Sequence, residues 1–319
     1  MTLAFVFPGQ GAQSVGMMES VIRHRLVRAA FEEAGEALGE DLLKLVQEGP
    51  KEVLDRTENT QPVLVAASTA FWRLWQDEGL PMPDVLAGHS LGEYSALVAA
   101  ESLCLADAAC LVRLRGRLMQ ESGEAFGHPG KMAAVVGLED EVVESICREA
   151  SGEDLVQAAN YNAPRQVVIS GDEPAVERAV ALARQRGAKL VVPLAVSVAA
   201  HSSRMQKAAE TLALELEKVA LRLPKIPVLH NAGNRLAKNL ADLRGLLAQQ
   251  VKSPVRWVEA MGKLRQAGAD TFCESGPGKV LSGLGKRIDA SARWFSLGET
   301  SGFAEARQAL SKMPREAHG

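Results

Sequence analysis

The stretch LAGHSLGEYSALVAA, Leu86–Ala100, carries a short apolar run into a helical pattern across Gly88-His89-Ser90-Leu91-Gly92. The spacing is G-x-S-x-G. Val85–Gly88 reads as a buried strand and Leu91–Ala100 as a helix, so the serine falls on a strand-to-helix turn, the setting of a nucleophile elbow. A side chain at Gly88 or Gly92 would crowd the neighbouring strand and helix. The turn presents the Ser90 hydroxyl at the sheet's edge. It also sets the Leu91 N–H at a helix N-terminus, where it can stabilise an oxyanion. The plainer reading is a glycine-rich turn with an incidental serine; the context favours the nucleophile.

Outward from this turn, Leu3–Phe7 is an apolar run stopped by Pro8-Gly9, as a buried strand is. Val21–Leu38, Gln61–Leu80 and Leu105–Ser122 read as helices. Strands alternating with helices predict a mostly parallel sheet covered on both faces. The rhythm then changes. Lys131–Val136, Leu155–Tyr161, Gln166–Gly171 and Lys189–Pro193 read as strands, with helices over Glu139–Glu149 and Glu173–Arg186. That order, β-α-β-β-α-β, is the ferredoxin-like unit. The first rhythm resumes with strands at Ile226–Leu229 and Thr271–Glu274 and helices at Leu240–Gln250, Val255–Ala267 and Lys279–Arg287. The expectation is a large α/β subdomain, 1–126 and 197–319, interrupted by a small subdomain, 127–196, with a ligand cleft between them.

A serine nucleophile needs a base. Of the six histidines, His24 lies in an arginine-rich helix, His128 in a Gly/Pro loop and His318 in the tail. His230 ends a strand and fits a structural role. His89 adjoins Ser90, and neighbouring side chains on such a turn diverge. His201 remains, after Ser90 in chain order as these triads run.

Residues 111–119 read LVRLRGRLM. At about 100° per residue, Arg113 and Arg117 share a face and Arg115 points about 200° away. Leu111, Val112, Leu118 and Met119 surround Arg115 at helical spacing, so it sits on the core-facing stripe. A buried guanidinium is costly unless paired. It either meets an internal carboxylate or awaits an anionic ligand, and its planar fork suits a carboxylate.

The 319 residues, 47% of them hydrophobic, suffice for a large core, and the net charge of -3 gives no basic stripe for nucleic acid. No apolar stretch reaches the ~20 residues of a membrane helix, and no leader pattern opens the chain. A cytoplasmic soluble protein is expected. Cys104, Cys110, Cys147 and Cys273 form no C-x-x-C pair; Cys104 and Cys110 sit among apolar residues and are expected to be buried thiols. Gly9-x-Gly11 follows a strand, but the third glycine of a dinucleotide fingerprint would fall at Ser14.

Together these residues resemble the malonyl-CoA:acyl-carrier-protein transacylases of bacterial fatty-acid synthesis. The likeness runs from FVFPGQGAQSVGM to ESGPGKVLSGLGKRI, through TQPVLVAAS, GHSLGEYSALVAA, LVRLRGRLMQES, NYNAPRQVVISG, VSVAAHSSRM and QQVKSPVRW. The resemblance implies an α/β-hydrolase-like core with a ferredoxin-like insert, and a ping-pong reaction without cofactor or metal. Ser90 would take the malonyl group and His201 would serve as base and then acid, oriented by the main-chain carbonyl of Gln250. Arg115 would hold the malonyl carboxylate. The backbone N–H groups of Gln10 and Leu91 would form the oxyanion hole. Asn160 and Asn162 match cleft-facing residues, with a strand-end turn as the competing role. The implied partners are malonyl-CoA and an acidic acyl carrier protein, for which Lys286 and Arg287 are candidate contacts; an ordinary solvated helix end is the alternative. The resemblance fits a monomer.

The chain departs from this pattern at Ala199-Ala200, where relatives often carry an aromatic or a Pro-Ser pair, and looser acyl selectivity is one consequence. Glu101 and Arg165 replace customary glycines. A malonate decarboxylase or polyketide system would use the same chemistry on another carrier. An esterase would share the elbow but lacks a reason for a buried cation. A non-enzymatic carrier scaffold would have no use for Ser90, His201 and Arg115.

Overall fold

The structure is a computed structural model that describes residues 2–124, 129–194, 196, 198–299 and 301–310. The apolar start of the chain forms β1 (Thr2–Phe7). Helices α1 (Arg25–Leu38), α2 (Leu42–Glu48), α3 (Lys51–Leu54) and α4 (Thr57–Asp77) follow, then β2 (Val85–Gly88), α5 (Gly92–Ala99) and α6 (Leu105–Glu124). The sequence reading started α1 four residues early. His24 is its N-cap, with the imidazole accepting from the Leu26 N–H.

The second unit is β3 (Gly130–Val136), α7 (Asp140–Ala150), β4 (Val156–Ala163), β5 (Gln166–Asp172), α8 (Glu173–Gln185) and β6 (Leu190–Pro193). The chain continues through α9 (Gln206–Leu216), β7 (Val228–Leu229), α10 (Leu240–Gln250), α11 (Trp257–Gln266), β8 (Ala269–Glu274), α12 (Val280–Ile288), β9 (Arg293–Ser296) and α13 (Gly302–Leu310). No helix among the described residues is long and apolar enough to cross a membrane.

Two sheets result among the described residues. The first runs β7-β2-β1-β8-β9, with every pairing parallel. Its strands alternate between two cores. Leu3, Phe5 and Phe7 pack against α1 and α4, while Ala4 and Val6 pack with Trp257 and Met261 on the other side. This two-sided burial is why the strands read as continuous apolar runs. The second sheet runs β4-β5-β3-β6, all antiparallel, in the ferredoxin-like order. Ala133, Val135, Val167 and Ile169 face its own helices, whereas Met132 and Val168 join the larger core. The small sheet therefore roofs the space beside the first one.

One expectation on the fold needs correction. Cys104 and Cys110 are exposed. Cys104 lies just before α6, where its sulfur accepts from the Asp107 N–H, and Cys110 faces the Ala37 carbonyl of α1. Arg113, on the face it shares with Arg117, is buried. Its guanidinium reaches Asn59 at 2.5 Å and pairs with Glu40.

The structure shows what the two glycine replacements cost. Glu101 has φ 55° and Arg165 has φ 60°, the left-handed region where glycine carries no penalty. Each side chain forms an exposed ion pair, Glu101 with Lys225 and Arg165 with Glu139. Such pairs contribute little. Arg165→Gly is therefore expected to raise stability by about 1 kcal/mol, read as a higher Tm in thermal unfolding; an unchanged or lower Tm would contradict the strain.

Candidate active site

The elbow is as tight as its glycines suggest. A Cβ on Gly88 would lie 1.9 Å from the Gly92 carbonyl carbon, and one on Gly92 would lie 2.0 Å from the Phe7 oxygen. Ser90 itself has φ 51°, a strained conformation for a residue with a side chain. Asn231 holds it there. Its Oδ1 accepts from the Ser90 N–H at 2.7 Å, and its Nδ2 donates to the Gly88 carbonyl at 2.6 Å.

The base arrives from where the chain returns from the small sheet. His201, 4% exposed and also left-handed at φ 58°, places Nε2 2.7 Å from Ser90 Oγ. Its Nδ1 lies 3.0 Å from two backbone carbonyls, those of Gln250 and Ser253. Two acceptors on one side fix the tautomer: Nδ1 carries the hydrogen, so Nε2 accepts from the serine hydroxyl. The Gln250 carbonyl is thus joined by that of Ser253, a second contact that no sequence signal announced. Burial, with the Arg115 and His89 charges adding to it, lowers the imidazole to about 3 from its usual 6.5, against the backbone carbonyls that raise it. His201 is thus held neutral.

Arg115 is 1% exposed and sits beside the nucleophile. Gly116 lets α6 approach α4 closely, since a Cβ there would meet the Glu58 Cα at 2.6 Å. The approach brings Arg115 to Gln61, whose Oε1 accepts from Nη1 at 2.8 Å. Nη2 donates to Gln250 Oε1 at 2.9 Å and to Ser90 Oγ at 3.2 Å. Of the two sequence alternatives for this side chain, the internal salt bridge is not the one formed among the described residues: every acceptor is a neutral oxygen.

Gln10, Ser90, Asn160, Asn162 and His201 line one cleft of about 430 Å³, roofed by Met132 and Val168 of the small sheet. The oxygen of Gln10's side chain accepts from Thr57 Oγ1 at 2.9 Å. The Ser90 amide is occupied by Asn231, while the amides of Gln10 and Leu91 donate to no protein acceptor among the described residues. Asn160 and Asn162 lie within β4, and the hairpin turn falls at Pro164-Arg165 instead. Asn162 Oδ1 contacts His89 Nε2 at 2.8 Å, which ties the roof to the elbow. A larger cavity of about 710 Å³ shares Asp55, Val196 and Val198 with the cleft but contains neither Ser90 nor His201, which open on the smaller one.

The other histidines fall elsewhere. His230 is buried with Nδ1 2.7 Å from Glu93 Oε1, a structural position as expected. His128 and His318 lie outside the described residues. Lys286 and Arg287 are exposed on α12, and Arg287 donates to Gln166, itself a cleft residue. Among the described residues no group of three or more His, Cys, Asp or Glu side chains is placed to hold a metal ion.

An elbow serine, a neutral histidine and two amides without a protein acceptor among the described residues are the parts an acyl-transfer site on an α/β fold requires. Residues 4–288 match the acyl transferase domain family, and the chain belongs to it. It is 45% identical over 309 residues to a malonyl CoA-acyl carrier protein transacylase of Haemophilus influenzae, covering 96% of this chain and 98% of that one. A protein of the same name in Bacillus subtilis is 40% identical over 312 residues, covering 97% and 98%. The crystal structure of a malonyl-CoA:acyl carrier protein transacylase from Xanthomonas oryzae superposes with a TM-score of 0.94 at 47% identity, covering 97% of this chain and 99% of that one. A malonyl-transacylase in complex with its type II PKS acyl-carrier protein superposes at 0.93 with 41% identity, covering 97% and 100%.

The sign of the His201 shift gives a test. The fold keeps the imidazole neutral while the unfolded chain takes up a proton below about 6.5. This group's contribution to stability is therefore fully present above that pH and is lost as pH falls toward 3. In NMR titrations the His201 ring is expected to show no protonation between pH 8 and 5; a midpoint near 6.5 would refute the burial argument.

Proposed function

We propose that this chain moves a malonyl group from malonyl-CoA to the phosphopantetheine thiol of an acyl carrier protein, through a malonyl ester on Ser90, and so supplies fatty-acid synthesis. The observation that carries the reading is the buried Arg115 guanidinium 3.2 Å from Ser90 Oγ. A buried cation at a nucleophile selects an acyl group with an anionic tail. An esterase acting on neutral acyl groups would gain nothing from it.

The chemistry proceeds in two halves. Ser90 Oγ attacks the thioester carbonyl as its proton passes to His201 Nε2. The amides of Leu91 and Gln10 stabilise the oxyanion, a contribution worth a few kcal/mol in such sites. The C–S bond breaks, and His201 returns the proton to the leaving coenzyme A thiolate. In the second half the carrier's thiol gives its proton to His201 and attacks the ester carbonyl. The C–O bond breaks and Ser90 regains its proton. Arg115 holds the malonyl carboxylate throughout, so the carbonyl stays over Ser90 while the thiols exchange.

The cleft lies between a large subdomain of 1–126 and 197–319 and a small one of 127–196. Asn160 and Asn162 bound the acyl site from the small subdomain. Arg287, tied to the cleft residue Gln166, and its neighbour Lys286 face the acidic carrier, which complementary charge would steer. The enzyme works as a cytoplasmic monomer.

Intact-mass analysis after mixing with malonyl-CoA is expected to show one added malonyl group, absent in Ser90→Ala. In Arg115→Ala, malonyl transfer is expected to fall by about a hundredfold or more, as for loss of a buried charge-assisted contact, while acetyl transfer falls far less. An equal fall in both would overturn the carboxylate clamp.

A further inference from the structure

A cation that waits for a substrate carboxylate has two opposed requirements. Sealed from water, it needs a compensating negative charge. If a protein carboxylate paired with it directly, however, the fork meant for the substrate would be filled. The structure meets both requirements through Glu93 and the side chain of Gln250.

Glu93 is fully buried in the first turn of α5. Three N–H donors face its carboxylate: His230 Nδ1 at 2.7 Å on Oε1, and the Asn231 amide at 3.0 Å and Gln250 Nε2 at 2.9 Å on Oε2. The other end of the same Gln250 amide, Oε1, accepts from Arg115 Nη2 at 2.9 Å. A single amide thus lies between the two charges with its dipole aligned to both, donor toward the anion and acceptor toward the cation, an arrangement that strengthens both bonds. The remaining acceptors of Arg115 are Gln61 Oε1 and Ser90 Oγ, both neutral. An incoming carboxylate displaces such acceptors far more readily than it would displace a protein carboxylate.

We propose that Glu93 is the counter-charge of Arg115, held one amide away by Gln250, and that this spacing sets how tightly the substrate carboxylate is gripped. The proposal rests on the reading of Arg115 as the carboxylate clamp. Glu93 is a positioning residue here; it touches no substrate atom. Its field stabilises the empty site and opposes the arriving anion, which keeps the malonyl carboxylate from binding too firmly for release to the carrier.

The test uses the full chain in a Ser90→Ala background, where binding is read without turnover. Dissociation constants for malonyl-CoA and acetyl-CoA are measured by calorimetry. Glu93→Gln removes the opposing charge, so malonyl-CoA is expected to bind about tenfold more tightly, with acetyl-CoA unchanged and the unliganded Tm lowered. The swap Glu93→Gln with Gln250→Glu keeps the net charge but moves the carboxylate onto Arg115. It is expected to weaken malonyl-CoA by about tenfold or more, again with acetyl-CoA unchanged. A merely structural role would move both ligands together. Malonyl-CoA binding that is unchanged or weaker in Glu93→Gln, or parallel changes in both ligands, would overturn the proposal. Should Glu93→Gln fail to fold, the charge swap decides. Arg115→Ala in the same background separates the two readings. If it leaves the preference for malonyl-CoA intact, the clamp itself is wrong; if it abolishes that preference while the Glu93 variants do nothing, only the counter-charge is wrong.

Discussion

A guanidinium removed from water beside a serine hydroxyl constrains everything around it. Arg115 cannot be solvated, so its neighbours must supply acceptors, and three side-chain oxygens from three parts of the chain do so. Gln61 comes from α4, Ser90 from the elbow and Gln250 from the end of α10. That convergence fixes how closely α6 must approach α4, which is where Gly116 enters. The same cation helps hold His201 neutral, so Arg115 and His201 are electrostatically linked.

The elbow shows a second dependence. Ser90 and His201 both take left-handed backbone, a conformation that persists only where the surroundings enforce it. For Ser90 the enforcement is a side-chain amide from a distant loop, bonded on both sides of His89. For His201 it is the end of α10 and the segment after it, which accept from the backbone N–H through Val251 and from the ring through Gln250 and Ser253. Catalytic geometry here is set by elements remote in sequence from the groups they position.

This explains which parts the sequence made legible. The alternation of β1, β2 and β8 with long helices exposed the parallel sheet, because each strand is buried on both faces. Ser90 was visible through its glycines, and Arg115 through the apolar residues around it on one helix. Asn231 was invisible, since an asparagine in HNAGN looks like any loop residue and its partner lies 141 positions away. Glu93 stood in plain view within GHSLGEY, yet a carboxylate in a helix's first turn ordinarily signals a solvated end, and nothing local reveals its burial. Cys104 and Cys110 misled for the converse reason: apolar neighbours in sequence did not put them inside. The short β9, RWFS at the sheet's edge, has too few residues for a period to show.

The small sheet is divided by face. Ala133, Val135, Val167 and Ile169 hold its own helices, while Met132, Ala134 and Val168 look into the cleft. Because consecutive residues on one strand serve these separate purposes, the ceiling of the cleft and the packing inside the unit are carried by different side chains. A change at Met132 would alter the ceiling of the cleft while leaving in place Ala133, Val135, Val167 and Ile169, which pack the unit's own helices.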